Sequence, residues 1–382
     1  MSLHVAINGW FWNRPDTGSG QYLRHLVGAF AEITPRLQIT LVVPAGMTVE
    51  PPGESVRVLP VSLKGSGQWA KLRFEQRQFP QAAADAGADI AHVPYWGGPL
   101  SSPVPMVVTI HDIIPLILPE YRGGLLGRAY TSLVAATARG AAAVLTDSAA
   151  SQADIVARLG LPADRVTVIP LAAAPVFRPR EGGLADMAVR EKYDLPEDFA
   201  LYLGGYDVRK NVRTLLHAYS YIQTGAGDMY PLVLAGKLPG KASSRFTDVS
   251  GLIEALELQD AVRCIGWVDE DDKPALYRLA TCFVFPSMYE GFGLPVLEAL
   301  ACGTPVVAAN TSSIPEIVGD AGFLVDPHDA RHLAGSMLAL YNQPDLRADL
   351  SQRALKQAKQ FSWKRTIIET LSVYEQVAGI AG

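Results

Sequence analysis

The sequence is poor in cysteine, and this scarcity excludes several kinds of protein. Its 382 residues include three cysteines, Cys264, Cys282 and Cys302, which stand in apolar surroundings without the spacing of a CxxC motif. Such cysteines favour buried thiols in a reducing compartment over disulfides or a zinc site. The sequence therefore predicts a cytoplasmic protein.

Clustered positive charge and long apolar runs are also missing. The formal net charge is −5, and no helix or arm gathers the lysines and arginines that phosphate backbones require. Nucleic acid is therefore not expected as the main partner. No window reaches the roughly 18 uncharged apolar residues of a membrane span. The N-terminus lacks a basic region followed by an apolar stretch, so export is not expected either.

What the sequence does contain is a regular alternation of short apolar runs and helical patterns. A chain of 382 residues exceeds the usual size of one hydrophobic core, so two domains are expected. Because strand and helix alternate in both halves, these domains should be parallel sheets covered by helices. The apolar runs that read as buried strands are 4–9, 39–46, 104–112, 142–148, 200–205, 231–236, 282–287 and 304–310.

One stretch breaks this rhythm and favours a linker. Residues 169–187 are rich in proline, glycine and alanine, and no helical period continues through them. Since ligands bind at the carboxyl ends of parallel strands, functional residues should lie in the loops that follow strands.

The loop after the run 282–287 has the pattern of a binding site. The stretch "SMYEGFGLPVLEALACGTPVV", residues 287–307, places Glu290 in a loop and Glu298 about one turn inside a helix whose first turn suits Pro295. A helix N-terminus offers unpaired N–H groups that can hold a diphosphate. The amides in question belong to Gly291, Phe292, Gly293 and Leu294. A simpler interpretation is that Glu298 stabilises the helix dipole, by about 0.3–1 kcal/mol, and that Glu290 is a solvated loop acid.

The wider stretch "FPSMYEGFGLPVLEALACGTPVVA" resembles the E-x7-E signature of retaining glycosyltransferases, in particular glycosyltransferase family 4. The resemblance extends over nearly the whole chain. It is carried in order by "TGSGQYLRHL", "VVTIHDIIPLILPEY", "VLTDSAASQADI", "LYLGGYDVRKNVRTLLHAY", "SIPEIVGDAGFLVDP" and "FSWKRTIIETLSVYEQV".

The resemblance implies an α/β GT-B fold, with two Rossmann-like, doubly wound parallel-sheet domains that face a central cleft. Residues 1–175 would form the acceptor domain, completed by a C-terminal helix at about 363–382. Residues 176–362 would form the domain that binds the nucleotide sugar.

The resemblance also implies roles for single residues of the second half. Arg209 and Lys210 look like the cations that hold the diphosphate of the donor. Glu290 looks like the acid that contacts the transferred sugar, and Glu298 like the ligand of the ribose. Many family members carry an arginine where this chain has Gly205, so Arg209 is expected to supply that guanidinium.

In the first half, His111 corresponds to a histidine on the opposite side of the cleft, near the sugar. The segment Gly18, Ser19 and Gly20 corresponds to a loop that approaches the phosphates, and Ser148 lies where the family closes its cleft.

The implied function is the transfer of a hexose from a nucleotide diphosphate sugar, with retention at the anomeric carbon, to a glycan or lipid-linked acceptor. GDP-mannose is the favoured donor, with UDP-glucose or UDP-N-acetylglucosamine as alternatives, and neither a metal nor another cofactor is expected. Two other classes of function stay open at this stage. A nicotinamide-dependent oxidoreductase would require G-x-G-x-x-G directly after a strand, which "TGSGQYL" does not supply. A non-catalytic sugar-nucleotide-binding protein would share the fold.

Three weaker signals favour ordinary structure. His328 and His332 have a spacing that suits zinc on a helix face, but no third ligand stands nearby. The acidic stretch 268–274 is better explained as the solvated start of a helix than as a metal motif. His92 is expected to be a core or loop histidine, although its neighbours Tyr95 and Trp96 suit stacking on an acceptor sugar.

Residues 64–79 combine basic and aromatic side chains. A helix there would carry Lys64, Lys71, Arg73 and Arg77, with Trp69 among the apolar residues between them. An ordinary solvated helix face is the favoured interpretation. Contact with anionic lipid or a polyprenyl diphosphate acceptor, at the inner face of the membrane, is the alternative.

Overall fold

The chain folds into two compact units. The computed structural model describes residues 3–34, 37–63, 65, 67–179, 183–226, 230–240 and 243–380. The N-terminal unit comprises Met1–Leu171 and Ser362–Gly382, and the C-terminal unit comprises Ala172–Phe361. The sequence places its boundary at 175/176, inside the same proline- and alanine-rich stretch.

The described residues of the N-terminal unit form a seven-stranded sheet. Its strands are β1 (His4–Asn8), β2 (Gln38–Pro44), β3 (Val56–Val61), β4 (Ile90–Val93), β5 (Met106–Thr109), β6 (Ala143–Thr146) and β7 (Val166–Val168). Their order is β3-β2-β1-β4-β5-β6-β7, and neighbouring strands pair in parallel. Because the chain first builds outward from β1 and then continues on its other side at β4, the sheet is doubly wound.

Helices connect these strands. They are α1 (Gly18–Ile33), α2 (Gly67–Arg73), α3 (Phe79–Asp85), α4 (Ile114–Ile117), α5 (Leu125–Gly140) and α6 (Ala149–Leu159). A π-helical segment, Phe74–Gln78, joins α2 to α3, and single 3₁₀ turns occur at Pro119–Tyr121 and Ala163–Arg165.

The described residues of the C-terminal unit repeat this architecture with six strands. They are β8 (Ala200–Leu203), β9 (Leu232–Ala235), β10 (Val262–Gly266), β11 (Cys282–Phe285), β12 (Val306–Ala309) and β13 (Gly322–Val325). The order is β10-β9-β8-β11-β12-β13, again with parallel pairs. The sheet therefore reverses its direction of growth between β8 and β11.

The helices of this unit begin after the linker and continue to its end. They are α7 (Leu184–Lys192), α8 (Val212–Ala226), α9 (Val249–Ala255), α10 (Lys273–Leu279), α11 (Leu294–Ala301), α12 (Ile314–Val318), α13 (Ala330–Asn342) and α14 (Pro344–Ala358). Short 3₁₀ turns lie at Val208–Lys210 and Glu270–Asp272.

The central strands are buried on both faces, as continuous apolar runs predict. Every residue of β11 and of β12 is buried. Phe283 and Phe285 have no exposed surface, and burying a side chain of this kind stabilises the fold by about 1.5–3 kcal/mol. The loops at the ends of these strands are thus attached to the least mobile part of the unit.

The last helix, α15 (Trp363–Val377), belongs to the N-terminal unit and packs along α1. Trp363 stacks on His25 with ring centroids 5.0 Å apart, and the fully buried Tyr374 stacks on Phe30 at 5.7 Å. The hydroxyl of Thr366 donates to the carbonyl of Pro170 at 2.7 Å. The chain therefore leaves the first unit, builds the second and returns.

One sequence prediction about the thiols is wrong. Cys282 and Cys302 are buried, but Cys264 is exposed, because it lies on β10 at an edge of the six-stranded sheet. An edge strand is covered on fewer sides than a central one. No helix within the described residues is long and apolar enough to cross a membrane.

Candidate active site

The candidate site lies at the carboxyl ends of β8 and β11. These strands are neighbours in the sheet although about 80 residues separate them in the chain. Between them the sheet reverses direction, and in open parallel sheets such a switch point leaves a crevice for ligands. The loop after β8 carries Arg209 and Lys210, and the loop after β11 carries Glu290.

Asn211 fixes the two cations in position. It follows the 3₁₀ turn Val208–Lys210 in a left-handed conformation with φ of 55°, which asparagine tolerates better than most residues. Its buried amide donates to the carbonyls of Pro286, at 3.1 Å, and Pro327, at 2.7 Å. The backbone of Arg209 also accepts a hydrogen bond from the amide of Met288 at 2.8 Å. The loops after β8 and β11 are therefore joined.

Glu290 gathers these cations around one oxygen atom. Its Oε1 lies 2.7 Å from Nη1 of Arg209 and 2.7 Å from Nζ of Lys210. The hydroxyl of Ser287 donates to the same oxygen at 2.6 Å. Burial alone would raise the pKa of Glu290, but Lys210 and Arg209 outweigh it and hold the pKa at about 2. The acid is therefore ionised throughout the physiological range.

Serines also hold the backbone of this loop. The hydroxyl of Ser312 accepts from the amide of Glu290 at 2.9 Å, and the hydroxyl of Ser313 donates to the Glu290 carbonyl at 3.0 Å. Ser313 also donates to the carbonyl of Phe292 at 2.5 Å. The loop has one defined conformation before any ligand arrives, which reduces the ordering that binding requires.

Helix α11 begins directly after this loop. Its N-cap is Gly293, with φ of 118°, and a Cβ at that position would lie 2.8 Å from Cδ1 of Ile314. Glycine is therefore required there on both conformational and steric grounds. The first turn, from Leu294, presents N–H groups without intrahelical acceptors. The side chain of Phe292 is buried and packs edge-on against Phe361, so only its backbone is available to a ligand.

Glu298 lies one turn inside α11 in a different environment. Its Oε2 accepts a hydrogen bond from the hydroxyl of Tyr277 at 2.9 Å. Burial raises the pKa of Glu298 to about 7, although Lys273 and the Tyr277 hydrogen bond oppose the change. This carboxyl group is therefore poised between its two protonation states near neutral pH.

In the N-terminal unit, His111 follows β5 and contacts two oxygen atoms. Its Nδ1 lies 2.7 Å from Oδ2 of Asp147, which follows β6, and its Nε2 lies 3.3 Å from the carbonyl of Pro94. The ring of Tyr22 meets the imidazole edge-on at 4.8 Å. Burial alone would lower the pKa of His111, but Asp147 raises it above its ordinary value.

The other residues predicted in this unit have structural contacts. Gly18, Ser19 and Gly20 form the first turn of α1 and not a separate loop, and the hydroxyl of the N-cap Thr17 accepts from the Gly20 amide at 3.2 Å. Ser148 is the N-cap of α6, where its buried hydroxyl accepts from the Ser151 amide at 3.1 Å. Capping of this kind explains a serine at the position without any ligand.

Sequence reasoning thus found the charged centre and missed the residues around it. Arg209, Lys210 and Glu290 come together as the resemblance implies. Asp147 was missed, although it follows the run 142–148 at the same sheet edge as His111, and that position was the available signal. Tyr277, which contacts Glu298, carries no local signal because it lies on a separate helix.

The weaker sequence signals correspond to structural residues. His328 precedes α13 and His332 lies in its first turn, so the two do not share a helix face. Within the part of the chain that the structure describes, no group of three His, Cys, Asp or Glu side chains is placed to hold a metal. His92 is fully buried between Thr109 and Tyr374, at 2.9 and 2.6 Å.

Two further details of the sequence analysis change. Tyr95 is buried and donates a hydrogen bond to Asn8 at 3.2 Å, so it is not available to stack on a sugar, whereas Trp96 is half-buried. The acidic stretch 268–274 forms the 3₁₀ turn before α10, where Lys192 contacts Asp269 and Asp272 at 2.7 and 2.6 Å.

Two family models match the chain. Residues 17–172 match the glycosyl transferase 4-like domain, and residues 188–357 match glycosyl transferases group 1. The O-antigen chain mannosyltransferase B of Escherichia coli is 36% identical over 270 residues, which cover 70% of each chain. This chain belongs to the group 1 glycosyltransferases.

Further comparisons agree with this family and fold. The serotype-specific mannosyltransferase WbdA of Escherichia coli is 32% identical over 263 residues, 68% of this chain, which spans 32% of the length of that longer protein. A crystal structure of HepE from Anabaena in complex with UDP-glucose superposes with a TM-score of 0.72 at 19% identity, covering 97% of this chain and 100% of the other. The two parallel-sheet units are those of a GT-B glycosyltransferase, and the oxidoreductase alternative is set aside.

Proposed function

We propose that this glycosyltransferase moves a hexose, with mannose favoured, from a nucleotide diphosphate sugar to a glycan or lipid-linked acceptor of cell-surface polysaccharide synthesis. The observation that carries the proposal is the ion cluster of Arg209, Lys210 and Glu290 beside the N-terminus of α11. Two fixed cations, a row of backbone amides and two separate carboxyl groups match the phosphates, the sugar and the ribose of such a donor.

The relatives support mannose as the sugar. The Escherichia coli protein that is 36% identical over 70% of this chain is an O-antigen chain mannosyltransferase. GDP-mannose is therefore the donor we favour. UDP-sugars are the alternative, since HepE, which shares the fold, was solved with UDP-glucose.

The cations have a defined role in the reaction. When a nucleotide sugar reacts, negative charge develops on the departing diphosphate and positive charge on the anomeric carbon. Cations that are already in place stabilise the charge on the phosphate without rearrangement. Glu290 holds Arg209 and Lys210 before the donor binds, because all three groups meet at its Oε1. Arginine offers a planar fork and lysine a compact charge, so the two together suit a diphosphate.

We further propose that transfer retains the anomeric configuration and requires no metal. Arg209 and Lys210 supply the positive charge that a divalent cation supplies in other transferases. The departing phosphate oxygen takes the proton of the acceptor on the face from which it leaves. Proton NMR of the first product, through its anomeric coupling, and turnover in EDTA against added Mg²⁺ test these two statements.

The test of the site is a pair of substitutions at the ion cluster. Lys210→Ala and Glu290→Gln should each lower kcat by about a hundredfold or more, because each removes a group that acts on developing charge. Lys192→Ala is the matched control, since Lys192 also contacts two carboxylates, Asp269 and Asp272, but at an exposed surface. We expect it to keep wild-type turnover.

The possible outcomes separate the proposals. Wild-type turnover in both Lys210→Ala and Glu290→Gln would contradict the site. Binding of a nucleotide sugar without turnover, with every acceptor tried, would instead favour a non-catalytic binding protein. Circular dichroism of each variant checks that the fold is retained, because Glu290 and both cations are largely buried.

The donor is identified by stabilisation. A ligand at 100 times its dissociation constant adds about 2.7 kcal/mol to the free energy of unfolding. We expect GDP-mannose to raise the melting temperature more than UDP-glucose or UDP-N-acetylglucosamine. A larger shift with a UDP-sugar would overturn the choice of mannose.

Peripheral contact with the inner face of the membrane belongs to the same proposal. Trp69 on α2 is 74% exposed, and Leu125 and Leu126 at the start of α5 are 86% and 75% exposed. Exposed arginines accompany them, namely Arg73, Arg77, Arg122 and Arg128. Lys71 faces inward to Glu75 instead, and Lys64 lies outside the described residues. Exposed apolar side chains beside arginines suit anionic lipid.

Vesicle flotation tests this contact. The protein should float with vesicles that contain anionic lipid and stay in solution with vesicles of neutral lipid. The double variant Leu125→Ser, Leu126→Ser should float less than the wild type. Equal behaviour with both kinds of vesicle would contradict the proposal.

A further inference from the structure

The pair His111 and Asp147 is placed by the register of the N-terminal sheet. Strands β5 and β6 pair in parallel with Val107 opposite Ala143 and Thr109 opposite Leu145. Extending this register by two residues puts His111 opposite Asp147 at the carboxyl edge of the sheet. Backbone contacts continue the pairing, since the amide of Ile110 donates to the Leu145 carbonyl at 2.8 Å.

Asp147 is a buried acid that the proposed reaction has not yet used. It is 3% exposed, and its Oδ2 lies 2.7 Å from Nδ1 of His111. A carboxylate buried to this degree requires a partner that donates a charged or strong hydrogen bond. The imidazole of His111, whose side chain is 19% exposed, is that partner.

Both ring nitrogens of His111 face oxygen atoms that only accept. Nδ1 faces the carboxylate of Asp147, and Nε2 faces the carbonyl of Pro94 at 3.3 Å. A neutral imidazole carries a single N–H, so one of its nitrogens would direct a lone pair at an oxygen. The doubly protonated ring donates to both oxygens, and it also neutralises the buried carboxylate.

We propose that Asp147 is a positioning residue that holds His111 as an oriented imidazolium, so that the nucleotide sugar meets a fixed cation and not a base. The inference rests on the proposed function, in which His111 lies near the donor sugar. The Nε2–H contact with Pro94 is the longer of the two, and the half-exposed ring can give this hydrogen to an oxygen of the donor. Nδ1–H stays on Asp147 and fixes the plane of the ring.

The other groups around the ring favour the cation. Asp112, the next residue in the chain, adds negative charge that raises the pKa of His111. Tyr22 from α1 is neutral, because burial keeps the pKa of its phenol far above the physiological range. His92 on β4 is also neutral, since burial lowers its pKa to about 3. Among the described neighbours, none with an opposing charge contacts the imidazole.

The direct test is the protonation state of His111 in the whole protein. Nitrogen-15 NMR of protein labelled at its seven histidines distinguishes imidazolium from both neutral tautomers, and the spectrum of His111→Gln assigns the signal. We expect both nitrogens of His111 to be protonated at pH 7 without donor, with a midpoint above 6.5. Asp147→Asn should move the midpoint below that of the wild type. A neutral His111 at pH 7 in the wild type would overturn the proposal.

The kinetic test separates positioning from a structural role. With GDP-mannose as the probe and release of GDP as the readout, Asp147→Asn should lower kcat by about tenfold or more, with little change in KM. Activity should be lost as pH rises through the midpoint of His111, and Asp147→Asn should move this loss to lower pH. In the His111→Gln background, Asp147→Asn should have no further effect. Equal losses in both backgrounds would show a structural role.

The control is a second buried acid. Asp186 in the C-terminal unit is also 3% exposed and contacts Arg278 at 2.6 Å. Asp186→Asn should cost stability but leave the midpoint of the pH profile where it is in the wild type. If no variant changes turnover because GDP-mannose is not the donor, the proposed donor fails, while the NMR titration still decides the state of His111.

Discussion

At the scale of single residues, Glu290 and Glu298 show how neighbours set the state of a carboxyl group. Both are held at the same loop and helix, yet the pKa of Glu290 is about 2 and that of Glu298 about 7. Glu290 has two cations at 2.7 Å, whereas Glu298 is buried with a single tyrosine hydroxyl on its Oε2. One acid is therefore a permanent charge and the other is able to change state near neutral pH.

Glu298 should make donor binding depend on pH. A ribose diol donates two hydrogen bonds, so it prefers the ionised carboxylate, and binding would release a proton when Glu298 is protonated. We expect KM for the donor to rise as pH falls below about 7 and to be flat above it. Glu298→Gln should have a higher KM without this acid limb. The same acid limb in Glu298→Gln would assign it to another group.

The same shift predicts the sign of an effect on stability. The folded-state pKa of Glu298 is raised from 4.5, so the stability that its neutral form contributes is present at low pH and is lost as pH rises through about 7. Glu298→Gln cannot ionise. Its free energy of unfolding relative to the wild type should therefore be more favourable at pH 8 than at pH 5, measured by urea denaturation.

At the scale of secondary-structure elements, the sequence found the strands whose both faces are buried. Four of the five strands that it missed, β3, β7, β10 and β13, are the edges of the two sheets. An edge strand is partly exposed, so its apolar run is interrupted, as in β10 with the exposed residues Arg263 and Cys264. The fifth, β4, is central but only four residues long, and it contains His92.

The first turn of α1 offers a matched pair of glycines. A Cβ on Gly20 would lie 1.9 Å from the carbonyl oxygen of Arg14, whereas a Cβ on Gly18 would meet nothing within 4 Å. Gly20→Ala should therefore destabilise the protein by about 1–3 kcal/mol, because the backbone must move to make room.

Gly18→Ala provides the comparison. It should leave the stability within about 1 kcal/mol of the wild type, or raise it, since alanine favours helix over glycine. Urea denaturation of both variants is the measurement. Equal destabilisation would show that loss of flexibility in this turn, and not the contact with Arg14, is what matters.

At the scale of the whole molecule, the return of the chain to its first unit is the main feature. The C-terminal unit is one continuous segment, but the N-terminal unit needs α15 to cover α1. Within α15, Ile367 and Tyr374 have no exposed surface. The two units therefore depend on the C-terminal residues to different degrees.

Truncation tests this difference. A chain that ends at Phe361 should lose the cooperative unfolding transition of its N-terminal unit, because the apolar face of α1 is left exposed. The isolated segment 172–361 should still fold and bind the nucleotide of the donor. A chain that ends at Ala378, just after α15, is the control and should behave as the full chain does. Calorimetry reports the transitions, and loss of folding in 172–361 would contradict the prediction.

The sequence by itself determined the pattern of buried strands, the location of functional groups at their carboxyl ends, and the residues Arg209, Lys210, Glu290 and Glu298. These follow from local apolar runs, from turn residues and from the resemblance to glycosyltransferase family 4. Only the tertiary structure decided which atoms meet. Glu290 and Lys210 are 80 residues apart, and His111 and Asp147 are 36 apart. Contacts at such separations depend on strand order and register, and the pKa values that result depend on burial, which no local pattern encodes.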